Sequence, residues 1–214
     1  MTSNTKHPTK AQPERGPIWL ITGVPGSGKT AVARALMRRY PYGLHVPVDD
    51  LREWVVSGIA HPVPTWTEET GRQFALARHA AASLARIYAD AGFVVALDDV
   101  IFPAESEAAF GDPLHGYAVQ KVLLQPRLEV ALTRNAARTT KGFDTSVLKT
   151  TIRDLYRAMA EQPCVEVGWL VVDNSDLSLK GTVDAILGAW HAVDDDTGGS
   201  NDADRRRPVP SSPR

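Results

Sequence analysis

The sequence has one cysteine, Cys164, in 214 residues. A lone thiol excludes an internal disulfide framework and a cysteine zinc cluster, and it suits a reducing cytoplasm. An excess of charge of one sign is also missing: 24 Lys and Arg stand against 25 Asp and Glu, a formal net charge of −1. That balance provides no bulk attraction for nucleic acid or an anionic membrane, although it leaves room for a local basic groove. No apolar run approaches the roughly 20 residues that span a bilayer, so no membrane association is expected. The opening MTSNTKHPTKAQPERGP has no apolar core segment, which argues against a secretory signal. His45, His61, His79 and His115 show no metal-ligand spacing. What is present is a 43% hydrophobic composition, enough to build one sizeable core.

Residues 1–16 are polar and proline-bearing, and residues 193–214 are of low complexity. Both are expected to be disordered, leaving one folded domain at 17–192. Inside it, apolar runs at 18–22, 43–48, 93–97, 118–125 and 168–174 read as strands. Segments 29–40, 51–59, 67–92, 127–139, 145–162 and 179–192 read as helices, with Thr67 as an N-cap and Gly92 as a stop. The alternation predicts an α/β fold: a mostly parallel five-stranded sheet in a three-layer α/β/α arrangement. In such sheets ligands sit beyond the carboxyl ends of the strands. Polar residues gather at three of those ends: a glycine loop, Asp49 with Asp50, and Asp98 with Asp99.

The loop, Gly23-Val24-Pro25-Gly26-Ser27-Gly28-Lys29-Thr30, fits G-x-x-x-x-G-K-[ST]. Its glycines let backbone N–H groups turn inward around phosphate, and the helix that follows adds its positive end. Lys29 is placed to reach the β- and γ-phosphates, and the Thr30 hydroxyl to coordinate Mg²⁺. This is a site for a nucleoside triphosphate, ATP or GTP.

Asp49 stands at the expected tip of the second strand, where a carboxylate can accept the proton of an attacking hydroxyl. Asp49 or Asp50 could instead cap the next helix. Arg52 could hold a polar or anionic group of the acceptor, or support the aspartate. FVVALDD has the form of an apolar strand ending in a magnesium carboxylate: Asp98, Asp99 or both, with Asp99 alternatively orienting the acceptor. Arg134 and Arg138, one helical turn apart and followed by Lys141 and Gly142, suit a small helical lid that brings positive charge to the transferring group. Trp54, Trp66, Arg72 and Arg78 lie where an acceptor cleft is expected; either tryptophan could stack on a ring or pack in the core. Arg38 and Arg39 end the first helix and read as dipole-compensating surface residues.

From the first strand to the last helix the chain resembles the small P-loop kinases, a group that includes chloramphenicol phosphotransferase, zeta toxins and the kinase domain of polynucleotide kinase. The resemblance rests on the glycine loop, VDDLREW and ALDDVIF. It implies a P-loop NTPase fold. Asp49-Asp50-Leu51-Arg52 has the form of the D-D-x-R stretch of polynucleotide 5′-kinases, which implies a base role for Asp49 and an acceptor contact for Arg52. Arg134-Asn135-Ala136-Ala137-Arg138 is similar to the R-N-x-x-R lid of that branch, whose arginines contact ATP phosphates. Asp49 and Asp98-Asp99-Val100 are similar to elements of chloramphenicol phosphotransferase. The near-neutral charge leans toward a small-molecule acceptor over a nucleic acid. The alanine- and arginine-rich composition resembles chains of high-GC actinobacteria, which phosphorylate antibiotics in self-defence, so chloramphenicol-like and capuramycin-like nucleoside drugs are the implied acceptors.

Overall fold

The computed structural model describes residues 14–137 and 148–197, with side chains through residue 190. The apolar run Ile18–Thr22 forms β1, every residue of it buried. Around it stand β2 (Gly43–Pro47), β3 (Val94–Asp98), β4 (Val119–Leu124) and β5 (Trp169–Val172), in the order β2-β3-β1-β4-β5. Every pairing is parallel; Ile18 aligns with Val95 on one side and with Val119 on the other. Because strand side chains alternate, β1 feeds two cores. Ile18 and Leu20 face α3 (Glu68–Asp90) and α5 (Leu148–Ala160). Trp19 and Ile21 face α1 (Lys29–Met37) and α6 (Leu179–Thr197), where Trp19 meets Trp190 edge-on at 5.7 Å. The result is the expected three-layer α/β/α sandwich, with a sheet that is parallel throughout.

α3 shows why local sequence makes this layer. Thr67 accepts from Thr70 N at 3.1 Å while Thr70 Oγ1 accepts from Thr67 N at 3.3 Å, closing a reciprocal cap. Ala77, Ala81, Ala85 and Ala89 recur every four residues on the buried face, so the helix backbone lies close to the sheet. Gly92, at φ 84°, stops it in a left-handed conformation that L side chains rarely adopt.

Three expectations change. α2 spans Val48–Glu53, earlier than the helix expected at 51–59. Asp49 and Asp50 therefore lie in its first turn and not at a strand tip. Pro47 ends β2 in an extended conformation, and carboxylates suit a helix's positive end. Neither aspartate is the N-cap, which is Pro47. Second, the polar leader is engaged before residue 17: Gly16 N donates to Ala89 O at 3.0 Å, and Arg15 pairs with Asp90 at 2.8 Å. Third, α6 continues past residue 192, to Thr197. The segment between β3 and β4 also carries a 3-10 turn (Pro103–Glu105) and a π-helical turn (Glu107–Gly111) that bury Phe110, both too short to show periodicity in sequence. Residues 1–13 and 198–214 lie outside the described residues.

Ala81→Leu would force side-chain volume between α3 and the sheet, where Ala81 is wholly buried. The expected cost is about 1–3 kcal/mol. A lower urea midpoint at unchanged m-value is the check.

Candidate active site

The glycine loop leaves the central strand β1 and enters α1. Its shape is imposed by backbone contacts. Gly23 has φ 147°, and a Cβ there would lie 2.4 Å from Leu124 O. Gly26 has φ 87°, and a Cβ would lie 2.1 Å from Ala131 O of α4 (Leu128–Ala136). Gly28 is the left-handed N-cap of α1, whose first turn carries no acidic residue. Asn174, 4% exposed, donates from Nδ2 to Ser27 O at 3.1 Å and so ties the loop to the segment after β5. Lys29 Nζ donates to Gly23 O at 2.8 Å and to Val24 O at 3.3 Å. A tight loop, a helix N-terminus without local carboxylates and a buried ammonium form a donor set that fits a polyphosphate.

The two adjacent carboxylates at the end of β3 turn to different partners. Asp98 accepts from His45, at 2.8 Å, and from the Thr30 hydroxyl, and it feels the Lys29 charge. Burial alone would raise its carboxyl; those hydrogen bonds and charges outweigh burial and hold it below the usual carboxylate range. Asp98 is thus an ionised oxygen donor beside Thr30, a set that fits a hard divalent cation. Among the described residues no cluster of three or more His, Cys, Asp or Glu forms another metal site. Asp99 is completely buried and receives Arg78 Nε at 2.7 Å. Burial raises its carboxyl; Arg78 opposes that rise, and the charge of Asp49 adds to it. The β2–β3 register, with Pro47 beside Asp98, brings the start of α2 to the end of β3.

Arg52 is 6% exposed, donates to Ala60 O at 3.0 Å and lies over the Phe74 ring at 4.7 Å. Arg78 lies 5.5 Å from the same ring, and Trp66 stacks on it at 5.2 Å. Gln73 holds the other side of the segment, accepting from Ala60 N at 2.9 Å and donating to Gly58 O at 2.8 Å. Arg52 therefore builds the wall between α2 and α3. Trp54 is 71% exposed at the end of α2. Arg72 lies on the outer face of α3, paired with Glu69 at 2.7 Å; its hydrogen bond and that of Gln73 hold the Glu69 carboxyl down to about 2. The structure thus joins Lys29, Thr30 and Asp98, sets Arg52 and Arg78 on one Phe74 ring, and leaves Trp54 and Arg72 outside these contacts. Arg78, weighed together with Arg72 on α3, is the one that reaches Asp99.

Arg134 donates from α4 to Asn174 O at 3.1 Å and to Ser175 O at 3.4 Å. With Gly28, Asn174, Leu177, Leu179 and Thr182 it lines a cavity of about 250 Å³ beside the loop, where a nucleoside can sit. Arg138, Lys141 and Gly142 lie outside the described residues. The sequence alone does not single out His45 or Phe74 for this region. Alternation along β2 and β3 hints at His45, since it and Asp98 share a sheet face, but only the register makes them neighbours.

Gly26→Ala is expected to abolish nucleotide binding, because a Cβ cannot coexist with Ala131 O and the left-handed φ. Calorimetric titration with ATP checks it. Arg78→Ala leaves the buried Asp99 carboxylate without its ion partner. The expected cost is on the order of 3 kcal/mol in a denaturation curve at neutral pH.

By sequence, no curated protein matches the chain. Solved structures share the fold. The tunicamycin resistance protein of Deinococcus radiodurans is 18% identical, with a TM-score of 0.58 over 82% of this chain and 96% of that one. A gluconokinase from Sinorhizobium meliloti is 20% identical, with a TM-score of 0.58 over 86% and 97%. The Mycobacterium tuberculosis APS kinase is 18% identical, with a TM-score of 0.57 over 84% and 99%. The family model for the AAA domain AAA_33 matches residues 18–163, a span that holds the glycine loop, the carboxylate pairs and α4. The chain belongs to that family, AAA_33, a small P-loop kinase family.

Proposed function

We propose that the protein is a cytoplasmic kinase that transfers the γ-phosphoryl group of ATP or GTP, with Mg²⁺, to a hydroxyl of a small molecule. The observation that carries this reading is a juxtaposition. Asp98 shares Thr30 and Lys29 with the phosphate loop, and the adjoining Asp99 feels Asp49 from a separate helix. The β2–β3 register sets Pro47 beside Asp98, so α2 and its Asp49 start at the same end of the sheet as the loop, which supports a base role for Asp49 in transfer to an alcohol.

The roles follow from chemistry. Lys29 and the loop amides hold the phosphates, and Arg134 borders the nucleoside cavity. Thr30 and Asp98 hold Mg²⁺, which when bound offsets charge on the phosphates. Asp49 takes the proton of the attacking hydroxyl. Arg134 and, from its motif alone, Arg138 add positive charge as the equatorial oxygens become more negative. Arg52, Phe74 and Trp66 wall the acceptor side, and Asp99, buried behind it, holds Arg78 in place.

The acceptor we favour is an antibiotic, with chloramphenicol-like and capuramycin-like nucleoside drugs as first candidates. The tunicamycin resistance protein among the fold neighbours supports testing this class, and gluconokinase and APS kinase support a small acceptor in general. Labelled ATP and Mg²⁺ are offered with an antibiotic panel, with oligonucleotide 5′-ends, or with no acceptor. Label on a drug is expected. Label on DNA replaces this reading with a polynucleotide 5′-kinase, and phosphate release indifferent to acceptor replaces it with a regulatory ATPase. Asp49→Asn is expected to bind nucleotide as the parent does and to lose about 100-fold or more in transfer rate; equal rates would remove Asp49 from the mechanism.

A further inference from the structure

A second cavity, of about 340 Å³, opens between the end of α1 and the edge strand β2, away from the nucleoside cavity. Arg34, Arg38 and His45 line it together with Met37, Tyr40 and Pro41, and no carboxylate does. Arg34 and Arg38 are one turn apart on the same helix face. Neither has an ion pair among the described residues, whereas the neighbouring Arg39 is engaged by Asp184. His45 forms the inner wall. Its side chain is 9% exposed, and its Nε2 is on Asp98.

A helix C-terminus with two cations is electrostatically ordinary. Less ordinary is that both arginines line one open surface depression together with an imidazole. Two guanidinium forks plus an imidazole suit a group with several terminal oxygens better than a carboxylate, which one fork satisfies. Met37, Pro41 and the Tyr40 ring provide an apolar wall for the body that carries that group. We propose that this cavity is a second anion site, taking the phosphomonoester of a small metabolite, and that His45 couples it to Asp98. A ligand seated here touches one side of the ring whose other side holds the carboxylate beside Thr30. Coupling of this kind is reciprocal: the phosphomonoester and the nucleotide each change the other's affinity by the same factor.

The probe is phenyl phosphate, titrated calorimetrically into the full chain saturated with Mg²⁺ and a non-hydrolysable ATP analogue, so that the phosphate loop is already filled. One equivalent is expected to bind. Arg34→Ala/Arg38→Ala, both exposed positions whose loss leaves the core intact, is expected to weaken it at least about tenfold. In the reverse titration, phenyl phosphate is expected to shift the affinity for the ATP analogue at least about threefold, and His45→Phe to erase that shift. His45→Gln, which can still donate to Asp98, controls for simple loss of that hydrogen bond, and a thermal melt confirms that each variant is folded. No binding with the loop filled, or binding indifferent to both arginines, overturns the site. An unshifted nucleotide affinity overturns the coupling. These outcomes are independent of whether any acceptor is phosphorylated.

Discussion

Bare backbone pressed against backbone is the constraint on which the rest of this molecule depends. Gly23 lies against the carbonyl that ends β4, and Gly26 lies against a carbonyl in α4. Neither approach tolerates a side chain, so the loop is clamped between the sheet and the helix that carries Arg134. Asn174 closes the clamp from the third side. Parts that arrive from β1, β4, α4 and the β5–α6 connection are thereby held in one geometry. A phosphate cradle built this way needs little reorganisation to receive charge, which is what makes preorganised dipoles effective.

The second organising feature is the divergence of two neighbouring carboxylates. Asp98 and Asp99 are adjacent in the chain, yet one belongs to the α1 side of the sheet and the other to Arg78 of α3. The consequence is chemical. Asp98, held ionised by hydrogen bonds and Lys29, is fit to serve a cation. Asp99, fully buried, has its charge tied to one guanidinium and its protonation pushed the opposite way by burial and by Asp49. Their different environments drive two like groups in opposite directions.

Between α2 and α3 the fold uses stacking and loop anchoring. Phe74 is covered by Trp66 and two guanidiniums, and Arg52 and Gln73 hold the backbone C=O and N–H of Ala60. Arg52 therefore helps join α2 to α3, through contacts that the sequence motif does not reveal.

The elements and the phosphate loop were legible in the chain because they depend on local physics. Continuous apolar runs specify buried parallel strands, the Thr67 cap and Gly92 bracket α3, and the loop glycines encode a backbone that other residues cannot adopt. Register, packing and burial decided the rest, because they join residues far apart in sequence. Only the β2–β3 alignment sets His45 against Asp98. Only the side of α3 that faces the sheet selects Arg78 over Arg72 for Asp99, with Arg72 left on the outer face beside Glu69. The strand order, with β1 at the centre, is likewise a tertiary outcome: each strand is encoded locally, but which neighbours it hydrogen-bonds is settled by the helices that must fit on both faces.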